Sequence, residues 1–419
     1  MSDQRFGTVV IGGGQSGLAV GYHLKQRDLP FVILDENARI GDAWRKRWDS
    51  LRLFTPGRYD GLPGMPFPGA PSAYPTKDET ADYLEAYARA FELPVRTGVK
   101  VDRLSRVEDR FEVTSGEQTL VAENVVVTTG AYYKPRVPVF ARELDERIVQ
   151  LHSKEYRKPS QIQEGGVLVV GAGNSGAEIA IELARHHQTW LSGRDTGQEP
   201  TRAGSLPDQL FTPIMWLMAT RLTVRTRAGR KLRDHFLDPP RGIPLGRVRK
   251  KDFAAAGIAR VPRMTGVKNR CPVLENGKIL EVSNVIWCTG FVPDYDWIDL
   301  SLPRHNGVPV HDRGIVASCP GLYFVGLPFL YSLSSASWEE WDAMPDMSSS
   351  ILERGEPLPW NGPPPQRPGG RSDERPHRNY VRRRRRRPAS SKPPPSSNID
   401  VGSGTGVVTV WILLPIASA

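Results

Sequence analysis

The chain has 419 residues, room for two or three domains with a sizeable core. Its mean hydropathy of -0.40 and the brevity of its apolar runs exclude a membrane span, since even Val407–Ile416 falls far short of the roughly 20 residues a bilayer needs. The formal net charge of +10 is local, because one run, Arg382–Arg387, carries much of the excess, so no nucleic-acid partner is expected.

Thr8–Ile11 is a short β-branched run that suits a buried strand. Gly12-Gly13-Gly14-Gln15-Ser16-Gly17 follows at once, and Leu18, Ala19, Tyr22 and Leu24 then recur at helical spacing. Strand, glycine turn and helix form a dinucleotide-binding fingerprint, with a diphosphate expected on the free N–H groups at the helix start. Phe31–Leu34 is a second strand and ends at Asp35-Glu36. An acid there holds ribose hydroxyls, or is simply a solvated loop acid. Gly57–Pro75 is rich in Pro and Gly and reads as loop. Thr76-Lys-Asp-Glu79 fits a capping box, and Leu84, Tyr87, Ala88 and Phe91 form one core-facing helical stripe. Val99–Val101 and Phe111–Val113 are expected strands of a small sheet, and Asn124–Gly130 a buried strand ending in a turn.

At Val167–Val170 the opening pattern returns, running into Gly171-Ala172-Gly173-Asn174-Ser175-Gly176 and a helix with Ile179, Ala180 and Leu183. The next strand, Thr189–Leu191, ends in Ser192-Gly193-Arg194 with no acid in the place of Asp35. A hydroxyl and a guanidinium suit the 2′-phosphate of NADP; the alternative is a surface arginine. Asn284–Gly290 echoes Asn124–Gly130, and nearly the same distance separates each from its glycine turn. The expected architecture is α/β, with two Rossmann-like units, the NADP unit inserted in the FAD unit. The expected divisions are 1–160 and 296–337 for FAD, 161–295 for NADP, and 338–419 for a disordered or non-native tail. Gly321–Gly326 is the expected returning strand. Phe211–Leu217 is either an amphipathic helix near a substrate entrance or part of a helical subdomain on the NADP unit.

Cys271, Cys288 and Cys319 are widely spaced, without a CxxC pair. That argues for a reducing compartment, the cytoplasm, and against a disulfide framework or a dithiol reductase. No leader segment and no metal site are expected.

The ordered set Gly12–Gly17, Ile40–Arg45, Ser50–Pro56, His152–Tyr156, Gly171–Gly176, Val285–Phe291 and Gly321–Pro328 resembles the flavin-dependent monooxygenases, in particular bacterial CzcO-type flavoproteins and plant YUCCA enzymes. The resemblance implies FAD and NADPH as cofactors. It implies a flavin C4a-hydroperoxide that oxygenates a small substrate at nitrogen or sulfur, with O2 and that substrate as partners and no side-chain nucleophile. The resemblance implies FAD contacts at Gly12, Gly14, Ser16, Gly17, Asp35 and Trp44, and NADPH contacts at Gly171, Gly173, Asn174, Ser175, Gly176 and Arg194. Further candidate cofactor contacts are Gly13, Gln15, Glu36, Arg45, Val101, Thr129, Gly130, Ser192, Thr289, Gly290 and Gly326. The family's His-x3-Tyr element maps onto His152 and Tyr156. Tyr156 stands where Baeyer–Villiger enzymes carry Trp. Thr55-Pro56 falls where many members have a flavin-facing Asn. The alternatives are an NAD(P)H:acceptor oxidoreductase without oxygen insertion, and a cofactor-poor remnant or basic-tail binding protein.

After Ser337 the composition changes to Pro-rich blocks and the arginine run. Back-translated from Trp338 and read two bases later, the codons force two glycines and an alanine that match the start of the helix following the last strand in the family. A frameshift near Ala336–Trp338 is the resulting expectation, with loss of a helix start facing the flavin and weakened FAD binding. An early stop in the alternative frame of the gene would rule it out.

Overall fold

The computed structural model describes residues 4–130, 134–237 and 243–332. The expected frameshift and the tail therefore lie outside the described residues. All the described residues belong to one compact unit, Met1–Trp360.

The chain opens with β1 (Gln4–Ile11), α1 (Gln15–Lys25), β2 (Phe31–Leu34), α2 (Asp42–Arg45), α3 (Lys77–Ala90), β3 (Val95–Arg96), β4 (Arg103–Val107), β5 (Arg110–Ser115) and β6 (Gln118–Val127). These strands form one sheet in the order β3-β2-β1-β6-β5-β4. β1 pairs in parallel with β2 and β6, so Ile11 stands between Leu34 and Val127. The Val/Ile run at the end of β1 is buried, as a parallel sheet covered on both faces requires. α3 opens on a capping box: Thr76 Oγ1 accepts the Glu79 N–H while the Glu79 carboxylate accepts the Thr76 N–H. Its Leu84, Tyr87 and Ala88 are in the core.

The second unit follows as β7 (Lys134–Pro135), β8 (Val149–His152), β9 (Val167–Val170), α4 (Asn174–Leu183), β10 (Thr189–Ser192), α5 (Leu206–Arg221), α6 (Arg227–Leu237), α7 (Lys250–Ala255), β11 (Ala259–Val261), β12 (Met264–Lys268), β13 (Cys271–Leu274) and β14 (Asn284–Trp287). Its sheet has the order β11-β10-β9-β14-β8 and is parallel throughout. The chain then runs through β15 (Phe291–Val292), β16 (Arg304–His305) and β17 (Val308–Pro309) to β18 (Leu322–Phe324). β18 pairs in parallel with the end of β6 and so returns to the first sheet.

Two details differ from the sequence reading. β8 is a strand of the second sheet, so that sheet begins near Val149, ahead of the division expected at residue 160. Val99–Val101 is not a strand: the Val99 N–H donates to the Asp35 carbonyl and the Gly98 N–H to the Asn37 carbonyl, which binds this segment to the loop after β2.

Candidate functional site: two glycine cradles

The first cradle is built where β1 ends. Gly12 has a φ of +115°, and its N–H donates to the Leu34 carbonyl at 2.7 Å. The Thr128 hydroxyl lies 2.7 Å from the Gly12 carbonyl and holds the turn from the β6 side. α1 crosses so close that a Cβ on Gly17 would sit 1.9 Å from the Gly12 carbonyl. Gly14 faces open space, with nothing within 4 Å of a Cβ built there. Among the described residues the N–H groups of Gly14, Gln15 and Ser16 meet no acceptor, and the first turn of α1 carries no acid. Open room over unpaired donors at a helix start fits a dinucleotide diphosphate.

Asp35 is buried directly after β2. Its Oδ2 accepts the Gly13 N–H at 2.7 Å, and its Oδ1 accepts the Asn37 N–H at 2.7 Å. The carboxylate is thereby fixed at the rim of the cradle, with further lone pairs for ribose hydroxyls. Glu36 is exposed, and Val101 packs at the edge of the core. Thr129 and Gly130 continue from the end of β6. Gly326, just past β18, would drive a Cβ to 2.3 Å from Ser16 Oγ, so the returning strand ends against the first turn of α1.

The second cradle repeats this construction. Gly171 has a φ of +109°, and its N–H donates to the Ser192 carbonyl at 2.7 Å. A Cβ on Gly176 would sit 1.8 Å from the Gly171 carbonyl, and Gly173 faces open space. Among the described residues the N–H groups of Gly173, Asn174 and Ser175 meet no acceptor. The Asn174 side chain ties the turn to the loop before α7: Nδ2 donates to the Pro244 carbonyl at 3.1 Å, and Oδ1 accepts the Gly246 N–H at 3.1 Å.

The segment from Trp44 to Leu51 lies between the cradles. Trp44 Nε1 donates to Gln15 Oε1 at 3.4 Å. Its ring packs against the cores of both units, and Trp48 and Leu51 share a cluster with Ala172 and Val169 of the second unit.

Several expected contacts are placed otherwise. Ser192 is fully buried: its hydroxyl donates to the Pro262 carbonyl at 2.9 Å and accepts the Met264 N–H at 2.8 Å. A hydroxyl so used is turned away from any 2′-phosphate, so Ser192 supports the strand end rather than the coenzyme. Arg45 is committed to α3, donating to Asp82 at 2.8 Å and Glu85 at 3.0 Å, which makes it a brace for α2. Arg194 is exposed. Asp195, next to it, is an acid the sequence reading passed over. Its carboxylate pairs with Lys250 and accepts the Gly197 N–H, and these bonds hold it below the usual carboxylate range.

His152 and Tyr156 are also held by the protein. His152 is buried; its Nδ1 accepts the Lys154 N–H, so Nε2 carries the proton and donates to the Gly290 carbonyl at 3.0 Å. Desolvation lowers its pKa, consistent with a neutral ring. The Tyr156 hydroxyl donates to Glu182 at 2.6 Å, and burial with that bond raises its pKa. Thr289 Oγ1 donates to the Arg136 carbonyl, and Gly290 accepts the Arg136 N–H. These groups shape the crossing between the units. Burial pushes the Cys288 thiol up to about 12, which disfavours a thiolate.

Sequence reasoning also missed Thr128 and Asp60. Thr128 is one position before the chosen Thr129, and strand alternation decides which of two adjacent threonines meets the turn. Asp60 is fully buried inside the Pro/Gly loop, bonded to Thr55, with Oδ2 unpartnered among the described residues. An acid five residues after a threonine in an otherwise apolar loop was the available signal.

Among the described residues no group of three or more His, Cys, Asp or Glu is placed to hold a metal ion, and no helix is long and apolar enough to cross a membrane.

Comparison with known proteins agrees with this geometry. The family described as pyridine nucleotide-disulphide oxidoreductase matches residues 9–206. A CzcO-like oxidoreductase from Geobacillus kaustophilus is 42% identical over 330 residues, covering 78% of this chain and 92% of that protein. A YUCCA protein of Arabidopsis thaliana, named as a probable indole-3-pyruvate monooxygenase, is 29% identical over 389 residues, covering 83% of this chain and 88% of its own. The structure of a variant flavin monooxygenase from Stenotrophomonas maltophilia superposes with a TM-score of 0.69 at 25% identity, over 84% of this chain and 100% of that one. Two glycine cradles in one α/β chain, and relatives matched over nearly their full length, assign the chain to the CzcO-like family of flavin-dependent oxidoreductases.

Proposed function

We propose that the chain is an FAD- and NADPH-dependent monooxygenase that transfers one oxygen atom from O2 to the nitrogen or sulfur of a small organic substrate. The observation that carries this reading is the pair of like-built cradles with unlike rims. Asp35 stands after β2, where it accepts ribose hydroxyls and repels a 2′-phosphate. Gly193 and the exposed Arg194 stand at the same place after β10, open to a 2′-phosphate.

On this reading α1 holds the FAD diphosphate through Gly14, Gln15 and Ser16, and α4 holds that of NADPH through Gly173, Asn174 and Ser175. When bound, NADPH supplies a hydride to FAD, and the reduced flavin supplies the electrons that activate O2. The protein binds, orients and excludes water. Trp44, Trp48 and Leu51 pack apolar side chains into the seam between the two units. The locked His152 and Tyr156 and the protonated Cys288 thiol offer no side-chain nucleophile, which supports chemistry carried by the cofactors. The few free cysteines support a reducing compartment, the cytoplasm.

The test begins with the absorption spectrum of the purified chain after FAD loading, followed by bleaching with NADPH under nitrogen. Oxygen uptake matched to NADPH, with product mass raised by one oxygen atom, is the expected result. Bleaching without oxygen in the product favours an NAD(P)H:acceptor oxidoreductase. Failure to take up FAD overturns the proposal.

A further inference from the structure

Helix α5 buries one residue and turns apolar side chains to solvent. Its buried residue is an acid, Asp208, whose carboxylate accepts the Tyr74 hydroxyl at 2.6 Å, the Gly204 N–H at 2.9 Å and the Thr201 and Thr212 hydroxyls at 3.0 Å each. Trp216, on the same side, stacks on Tyr59 with ring centroids 4.7 Å apart. The inner face is thus fixed by polar and aromatic contacts to the loop of the first unit. The outer face is apolar: Leu206, Leu210, Ile214 and Leu217 are 77%, 76%, 59% and 53% exposed. At 3.6 residues per turn these four, with Arg221, fall within an arc of roughly 80°, opposite Asp208 and Thr212, while Met215, 39% exposed, lies outside that arc.

We propose that this outer face is a docking surface for an anionic lipid membrane. A stripe of exposed leucines is a cost in water that a soluble helix avoids, and a stripe of this size on a helix too short to span is suited to lie in the interface. Charge selects the partner. Between Arg202 and Leu237 the sequence has seven cations and two acids. Of the acids, Asp208 is buried and Asp234 pairs with Arg233 at 3.0 Å. Arg221 ends the stripe itself, and exposed Arg227 and Lys231 follow on α6. A cationic segment that carries an apolar stripe, with Arg221 at the end of the stripe, complements acidic headgroups over acyl chains. A second copy would bring like charges together, and a nucleic acid would leave the leucines uncovered. The proposal stands independently of the chemistry assigned to the cradles.

The test is vesicle co-sedimentation of the full-length chain with Arg382–Arg387 changed to glutamine, so that the arginine run does not itself bind vesicles. Binding is expected to mixed phosphatidylcholine–phosphatidylglycerol vesicles and to weaken with salt. The double substitution Leu210→Gln/Ile214→Gln should lower it on the order of tenfold, with unchanged melting temperature and unchanged mass by light scattering. Undiminished binding overturns the proposal. So does a lower melting temperature or the loss of an oligomer, since either means that the face is covered by the chain itself or by a second copy.

Discussion

The Asp35 carboxylate meets the Gly13 N–H at 2.7 Å, and the missing side chain of Gly13 makes the contact possible, because a Cβ there would lie 2.7 Å from Oδ2. In the second cradle the two positions are exchanged. Ala172 carries the side chain and Gly193 carries none; a Cβ on Gly193, at a φ of +148°, would lie 2.7 Å from the Ala172 nitrogen. Each cradle has space for one side chain at this point, and which strand supplies it decides whether an acid stands at the rim of the cradle.

Asp35→Ala leaves the Gly13 N–H buried without an acceptor, which costs about 1–3 kcal/mol. Asp35→Asn keeps an acceptor of the same shape and should lose less. Urea unfolding of both variants measures the difference. Equal losses would mean that the charge of Asp35, rather than its hydrogen bond, supports the turn.

Gly17→Ala and Gly176→Ala should separate the two cradles. Each added methyl meets a carbonyl oxygen at under 2 Å, at Gly12 and Gly171 respectively, so helix and strand must part. Overpacking of this kind costs about 1–3 kcal/mol and moves the helix start away from the turn. The expected result is that Gly17→Ala loses FAD, whereas Gly176→Ala retains FAD and loses NADPH binding. Flavin content after gel filtration and NADPH titration read the two separately. Loss of FAD from both variants would mean that the cradles do not act independently.

Those glycines were legible in the sequence because their cause is local: a strand, a turn and a helix within about twenty residues. The capping box at Thr76 and Glu79 was legible for the same reason. The failures are tertiary. Ser192 was read as a phosphate ligand, but its hydroxyl is taken by Pro262 and Met264, some seventy positions on. The sequence offers Arg45 as a cofactor contact, but Asp82 and Glu85 lie under it once α3 packs on α2. Alternation of polarity within β10 gives no sign of which backbone group will face its last side chain. The pairing of β8 with β14 depends likewise on a contact more than a hundred residues distant.

Arg194→Ala should weaken NADPH far more than NADH. Arg194 is exposed beside Gly193, and a charge-assisted bond to a phosphate contributes about 1.5–3 kcal/mol, or roughly ten- to a hundredfold in Kd. Asp195→Asn should act in the opposite direction, since it frees Lys250 and removes a negative charge next to the same phosphate. Equilibrium binding of adenosine 2′,5′-bisphosphate against AMP measures this without flavin turnover. Equal loss for both nucleotides in Arg194→Ala would remove the coenzyme assignment.

Asp60 gives the chain a stability that falls with pH. Burial pushes its carboxyl up from 3.8 to about 7, and the bond to Thr55 offsets only part of this. The folded chain then holds a proton that the unfolded chain releases near pH 4, so the contribution is complete below that pH. It is lost as pH rises to about 7 and is constant above. Asp60→Asn keeps the neutral shape and the Thr55 contact without the ionisation. Relative to the parent it should be more stable by on the order of 2–4 kcal/mol at about pH 8, and nearly equal to it at about pH 4. Urea midpoints across that range check the sign. A difference that does not change with pH would show that Asp60 is ionised throughout, its second oxygen satisfied by a group or water that lowers its pKa.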